Sequence, residues 1–176
     1  DVYMLLSSSR FSAPDAVERA KNLDAAKQVM DLAHFLGSKL VRVFGGKIAD
    51  GVRKDEAYGW IVDAFRRLGD YGAKMGIAAV LEMHDDFTAS VACREIMERT
   101  NHPFVKLLWD IHHPYRTSGE KIADTWTNIG KWVVDTHFKD SVPDATERLG
   151  YRYTLMGEGD VPNLEALQIL KRNGFQ

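Results

Sequence analysis

Three apolar runs in this sequence end in the same way, at nearly equal intervals. Ile77 to Leu81 leads into Glu82-Met-His84-Asp85-Asp86, Val105 to Trp109 leads into Asp110-Ile-His112-His113-Pro114, and Trp132 to Thr136 leads into His137-Phe-Lys139-Asp140. Glu82 and Asp110 are 28 positions apart, and Asp110 and His137 are 27 apart. That interval accommodates a strand, a loop, a helix and a return loop, the repeating unit of a parallel barrel or sheet. Such folds keep their active sites at the C-terminal ends of the strands. The repeat therefore restricts the chain to a parallel α/β architecture and sets a carboxylate or imidazole at the end of each of three successive strands.

The rest of the chain follows the same alternation. Val2 to Leu6 reads as a strand and Ser7 to Pro14 as a loop. Asp15 to Leu36 then has apolar residues at helical spacing. Lys39 to Phe44 is a strand, Asp55 to Lys74 a helix, Ile77 to Met83 a strand and Phe87 to Thr100 a helix. Asn101-His-Pro103 breaks the pattern, because proline lacks a donor and restricts its predecessor. Phe104 to Trp109 is a strand, Glu120 to Ile129 a helix and Trp132 to Phe138 a strand. Ser141 to Gly159 is less regular, with Tyr151 to Leu155 as a short extra strand. Pro162-Asn163 opens a last helix, with Asn163 expected as its N-cap.

Five strands alternate with five helices. A closed barrel takes eight of each in about 250 residues, and five eighths of that is roughly 156, close to this length. Both ends read as interior to a longer fold. Asp1 stands directly before a strand, and Asn173-Gly174-Phe175-Gln176 reads as a helix end approaching another. The expectation is one incomplete barrel domain over residues 1–176.

Charge and composition exclude several classes. A net charge of -2 and a pI near 6.3 give no footprint for nucleic acid or a membrane surface. Cys93 is the lone cysteine, so no internal disulfide framework exists, which suits a reducing compartment. No basic segment precedes a long apolar run, and no apolar stretch approaches the ~20 residues a membrane span needs. The expected location is cytoplasmic.

Glu82, Asp110 and His137 form the leading constellation. Carboxylate oxygen with neutral imidazole nitrogen suits one divalent ion: Mn, Mg, Co or Zn. His113, three residues after Asp110, is placed to bind substrate or transfer a proton. His84 shares the face of Glu82 if that strand extends, either as a substrate contact or as a hydrogen-bonded rim residue. Lys139 shares the face of His137 and can hold a substrate oxygen or phosphate. In Gly157-Glu158-Gly159 the flanking glycines allow Glu158 close to a ligand. Arg42, inside a strand, needs an acid partner. His34, His102 and Cys93 read as structural, and His112 points away from the site if His113 points in.

These residues carry a resemblance. Leu40-Val-Arg-Val-Phe-Gly-Gly46, Leu81-Glu-Met-His-Asp-Asp86, Leu108-Trp-Asp-Ile-His-His113, Thr136-His-Phe-Lys-Asp140 and Gly157-Glu-Gly-Asp-Val-Pro162 resemble, in order, the xylose isomerase-like TIM-barrel family. Its members include sugar phosphate isomerases, epimerases and inosose dehydratase-type enzymes, with endonuclease IV as a distant relative. The resemblance implies a (β/α)8 barrel with its first two strands upstream of Asp1 and its last strand downstream. It implies one divalent ion on Glu82, Asp110, His137 and a glutamate beyond Gln176, and a substrate contact at His113. The implied reaction is isomerisation or epimerisation of a sugar or sugar phosphate through an enediolate. Glu82 is then both ligand and acid/base, and this stretch alone would be nearly inactive. A dehydratase on the same site, an endonuclease IV-like phosphodiesterase and a non-catalytic sugar-binding domain remain as alternatives. Bare sheet edges also predict self-association.

Overall fold

The computed structural model describes residues 1–175. Five parallel strands form one sheet in sequential order: β1 (Met4–Arg10), β2 (Leu40–Phe44), β3 (Ala78–Glu82), β4 (Val105–Asp110) and β5 (Val133–His137). Helices α1 (Ala16–Phe35), α2 (Lys54–Ala73), α3 (Ser90–Thr100), α4 (His112–Ser118) and α5 (Ile122–Ile129) make the connections. A two-stranded antiparallel hairpin, β6 (Asp140–Pro143) with β7 (Tyr151–Thr154), and helix α6 (Asn163–Arg172) follow. This is an α/β fold in which the barrel is open among the described residues.

Alternation along each strand divides the two faces of the sheet. Val41 and Val43, Ala79 and Leu81, Leu107 and Trp109 point toward the helices. They form one core with Met30, Ala33, Ile61, Phe65, Leu68, Ile96 and Met97. The opposite face carries Arg42, Val80, Glu82, Leu108 and Asp110, so every residue of β3 is buried on one side or the other. At the foot of the core Gly72 lets α2 approach β3, since a Cβ there would stand 2.1 Å from the carbonyl oxygen of Ile77. No helix of the described residues is long and apolar enough to cross a membrane.

The sheet curves. Tyr3, just before β1, donates from its hydroxyl to the carbonyl of Val134 in β5 at 3.0 Å. Two strands at opposite edges of the order β1-β2-β3-β4-β5 are thus within reach of one side chain.

The structure adds a strand that the sequence reading did not expect, β6, and differs from that reading in four further places. First, β1 continues to Arg10 where a loop from Ser7 was expected. The Ser7 and Ser9 hydroxyls bond each other at 2.8 Å, which lets a polar stretch be buried as strand. Second, residues after Asp110 form α4 rather than a loop. Pro114 sits in its first turn, where a missing N–H removes no helical bond. Third, α3 starts at Ser90, three residues later than expected, because Phe87 turns into the core. Fourth, Asn163 is the first residue of α6 and Pro162 occupies the cap position. The Asn163 amide instead donates to the carbonyl of Lys139 at 3.1 Å.

Candidate metal centre

Strand register brings the three leading residues together. Glu82 ends β3 beside Leu108 of β4, and Asp110 ends β4 beside His137 of β5. The last alignment depends on a bulge. Leu107 pairs with Val133 but Leu108 pairs with Asp135, so Val134 is skipped. The extra residue turns Asp135 and His137 onto the face shared by Leu108 and Asp110.

The donor atoms of Glu82, Asp110 and His137 all lie within 4.8 Å of one another. His137 Nδ1 faces both acids, 3.2 Å from Glu82 Oε1 and 3.9 Å from Asp110 Oδ2. Glu82 and Asp110 are only 4% and 0% exposed, so both carboxylates need cationic or hydrogen-bonding partners. Arg42 supplies one for Glu82, with Nε 3.0 Å from Oε2. Lys139 supplies one for Asp110, with Nζ 2.5 Å from Oδ2, and the N–H of His112 donates to Asp110 Oδ1 at 3.1 Å. Burial alone would raise the Glu82 pKa. The hydrogen bond with His137 and the charge of Arg42 outweigh burial and hold it below the usual carboxylate range. The hydrogen bond to Glu82 raises the His137 pKa against the opposite pull of burial. Two buried carboxylates and an imidazole nitrogen facing one point fit a hard or borderline divalent cation.

His113 and Lys139 join this group at Asp110. His113 Nε2 is 3.5 Å from Asp110 Oδ2 and 3.4 Å from Lys139 Nζ. Burial pushes the His113 imidazole down. His84 stands one step further out, its ring edge-on to His113 at 4.8 Å and its Nδ1 3.1 Å from Asp85 Oδ1. Asp85 has φ of 51°, unusual for a residue with a side chain, and its other oxygen takes Arg10 at 3.4 Å. His112 faces away, as expected, and bonds Ser141 Oγ at 2.9 Å. Burial, and next the neighbouring His113, lower its pKa to about 4. Arg42 has the acid partner it required. A cavity of about 890 Å³ lies between the loops after β2 and β3 and helix α3; Asp85 lines it, and Glu82, Asp110 and His137 do not.

Glu158 is not brought to this group. It is exposed, and its flanking glycines serve another residue, Asp140. Asp140 Oδ2 accepts the N–H groups of Gly157 at 2.8 Å and Gly159 at 3.0 Å, and Oδ1 accepts those of Ser141 at 2.9 Å and Val161 at 3.2 Å. Those four donors hold the Asp140 pKa below the ordinary value although burial opposes them. Nothing in the sequence singles out Asp140 for this turn. The signal available was a pair of glycines seventeen and nineteen residues downstream of an acid, too common a pattern to single out.

The family model described as Xylose isomerase-like TIM barrel matches residues 2–176, and the chain belongs to that family. No curated protein matches the chain. Solved structures agree on the fold. One is the probable 3-DHS dehydratase AsbF of Bacillus anthracis, with TM-score 0.81 and 21% identity over 99% of this chain and 68% of that one. The 3-keto-D-glucoside 4-epimerase YcjR of E. coli, in its apo form, gives TM-score 0.80 and 13% identity over the same 99% and 68%. The IOLI protein with a bound zinc atom gives TM-score 0.83 and 22% identity over 99% of this chain and 64% of that one. The chain therefore spans 64% to 68% of the length of these three structures.

Proposed function

We propose that this chain carries the metal centre of a sugar or sugar-phosphate isomerase or epimerase, and that residues 1–176 form one partial barrel domain. The observation that carries this reading is the meeting of Glu82, Asp110 and His137 within 4.8 Å at the ends of three adjacent parallel strands, in a member of this family. These three residues would hold one divalent ion: Mn, Mg, Co or Zn. When bound, such an ion supplies Lewis acidity that polarises a substrate carbonyl and stabilises negative charge developing on its oxygen.

The chain's own side chains do the rest. Glu82 is ionised across the neutral range, so it is ready to take a proton from the carbon beside the carbonyl and return it to the neighbouring carbon. His113 and Lys139, side by side at Asp110, present donors to substrate hydroxyl or phosphate oxygens. His84 lines the rim next to His113, and Glu158, exposed and outside this group, takes no part. Apolar side chains exposed before and along β1, Tyr3 at 62% and Leu6 at 57%, favour self-association at the sheet edges, and a clean monomer in light scattering would count against it. A cytoplasmic location agrees with the lone buried Cys93.

The test is direct. Titration of the chain with MnCl2 should show one ion bound, and Asp110→Asn should abolish it. In the protein that carries this chain, Glu82→Gln should abolish turnover across a panel of sugars with added Mn or Mg. Normal turnover would rule out the assignment. A dehydratase on the same site is the second reading, favoured by the likeness to a probable 3-DHS dehydratase. Product analysis separates the two, since a dehydratase releases water and an isomerase conserves mass.

A further inference from the structure

We infer that Arg42 is a positioning residue for Glu82: it claims one carboxylate oxygen and leaves only the other for the ion. This rests on the metal-site reading above. Arg42 lies on β2, in register with Val80 of β3, two residues before Glu82 on the same face. Its side chain reaches along that face to the strand end. Nε stands 3.0 Å from Glu82 Oε2, whereas Oε1 stands 3.2 Å from His137 Nδ1. The two oxygens of one carboxylate are thus divided between a permanent cation and the cluster.

Three features keep that division in place. The Arg42 and Glu82 side chains are 11% and 5% exposed, so water competes little for either. The guanidinium lies over the Phe44 ring at 4.0 Å from its centroid, which restrains the plane of the group. The other arginine near Phe44, Arg10, is committed to Asp85, and Glu82 is the one acid that pairs with Arg42 among the described residues. Nε and Nη1 lack hydrogen-bond alignment, so Arg42 acts on Glu82 through charge rather than through a two-pronged fork.

A fixed positive charge against a ligand oxygen does two things. It repels an incoming dication, and it keeps the second oxygen from joining the first. Arg42 therefore lowers the site's affinity for a cation while it holds Glu82 to attachment through one oxygen.

The experiment uses the full chain and MnCl2 alone. Mn(II) affinity is read by competition with a chelator, and coordination by the EPR spectrum of the bound ion. Arg42→Met should bind Mn(II) on the order of tenfold more tightly, because a cation of this kind is worth a kilocalorie or more at such range. Its EPR spectrum should also differ from that of the wild type. Arg42→Lys keeps the charge and should stay within about threefold of the wild type. Circular dichroism checks folding, and if Arg42→Met is misfolded, the neutral but polar Arg42→Gln carries the same expectation. Neutral variants that bind Mn(II) no more tightly than the wild type, with an unchanged spectrum, overturn the inference alone. A wild-type chain that takes up no Mn(II) overturns the ligand set itself, and the role of Arg42 with it.

Discussion

Asp140→Asn offers a sharp test of how the region after β5 is held. The change is isosteric, but it turns one carboxylate oxygen into an amide NH2. Each oxygen of Asp140 accepts two backbone N–H groups, at 2.9 and 3.2 Å on Oδ1 and at 2.8 and 3.0 Å on Oδ2. Whichever way the amide turns, two donors lose their acceptor and face another donor. A hydrogen bond to a charged acceptor contributes about 1.5–3 kcal/mol, so two give ~3–6 kcal/mol. Water entering the loosened turn recovers part of this, leaving about 3 kcal/mol, or roughly a hundredfold in a local opening equilibrium. The assay is amide hydrogen exchange by NMR. Gly157, Gly159 and Val161 should lose about two decades of protection, while the amides of β3 and β4 stay protected. Exchange at those three residues within threefold of the wild type would refute the reasoning. The sign with pH follows. Asp140 has a depressed value in the folded chain. Its contribution is complete above the ordinary carboxylate value of about 4 and disappears as pH falls through the folded value.

Three further outcomes are expected. Gly72→Ala sets a Cβ 2.1 Å from the Ile77 carbonyl oxygen and 2.6 Å from the Met30 methyl, and should cost about 2–4 kcal/mol in urea unfolding. Unfolding at the wild-type midpoint would show that α2 shifts freely against β3. Lys139→Met leaves Asp110, which is 0% exposed, without its cation. Discounted for the 31% exposure of the lysine side chain, the loss should be about 2–3 kcal/mol in the metal-free protein. Saturating MnCl2 should restore most of it, and a melting temperature indifferent to MnCl2 would count against the ligand set. Tyr3→Phe removes the donor to the Val134 carbonyl and should cost about 0.5–1 kcal/mol. It should also perturb the His137 ring resonances by NMR, and unmoved resonances would mean that the bulge holds without Tyr3.

The strand-end residues Glu82, Asp110 and His137 were legible because apolar runs that stop at an acid or histidine are local patterns, and the repeat of 27 to 28 residues set them on successive strands. Arg42 was legible as a buried cation in want of an acid, though only the fold brings Glu82 to it as that acid. What escaped depended on contacts between distant segments. The helix at His112 hides behind two histidines and a proline that read locally as loop. The Ser7–Ser9 stretch looks too polar for a strand until its hydroxyls are seen to satisfy each other. The Gly157–Gly159 turn was read as a means of presenting Glu158, whereas its glycine N–H groups converge on Asp140. Asn163 has the right chemistry for a helix cap, but the preceding proline takes that position and frees the amide for Lys139.

The skipped residue in β5 decides which chemistry the mouth of the half-barrel displays. Counted without the skip, Thr136 would stand opposite Asp110, and Phe138 rather than Lys139 would follow on that side. A hydroxyl and a phenyl would then occupy the places of an imidazole and an ammonium, in an otherwise identical wall. The same strand therefore encodes two different walls, and the bulge at Val134 chooses between them; deletion of Val134 would make the strand regular and still leave His137 opposite Asp110.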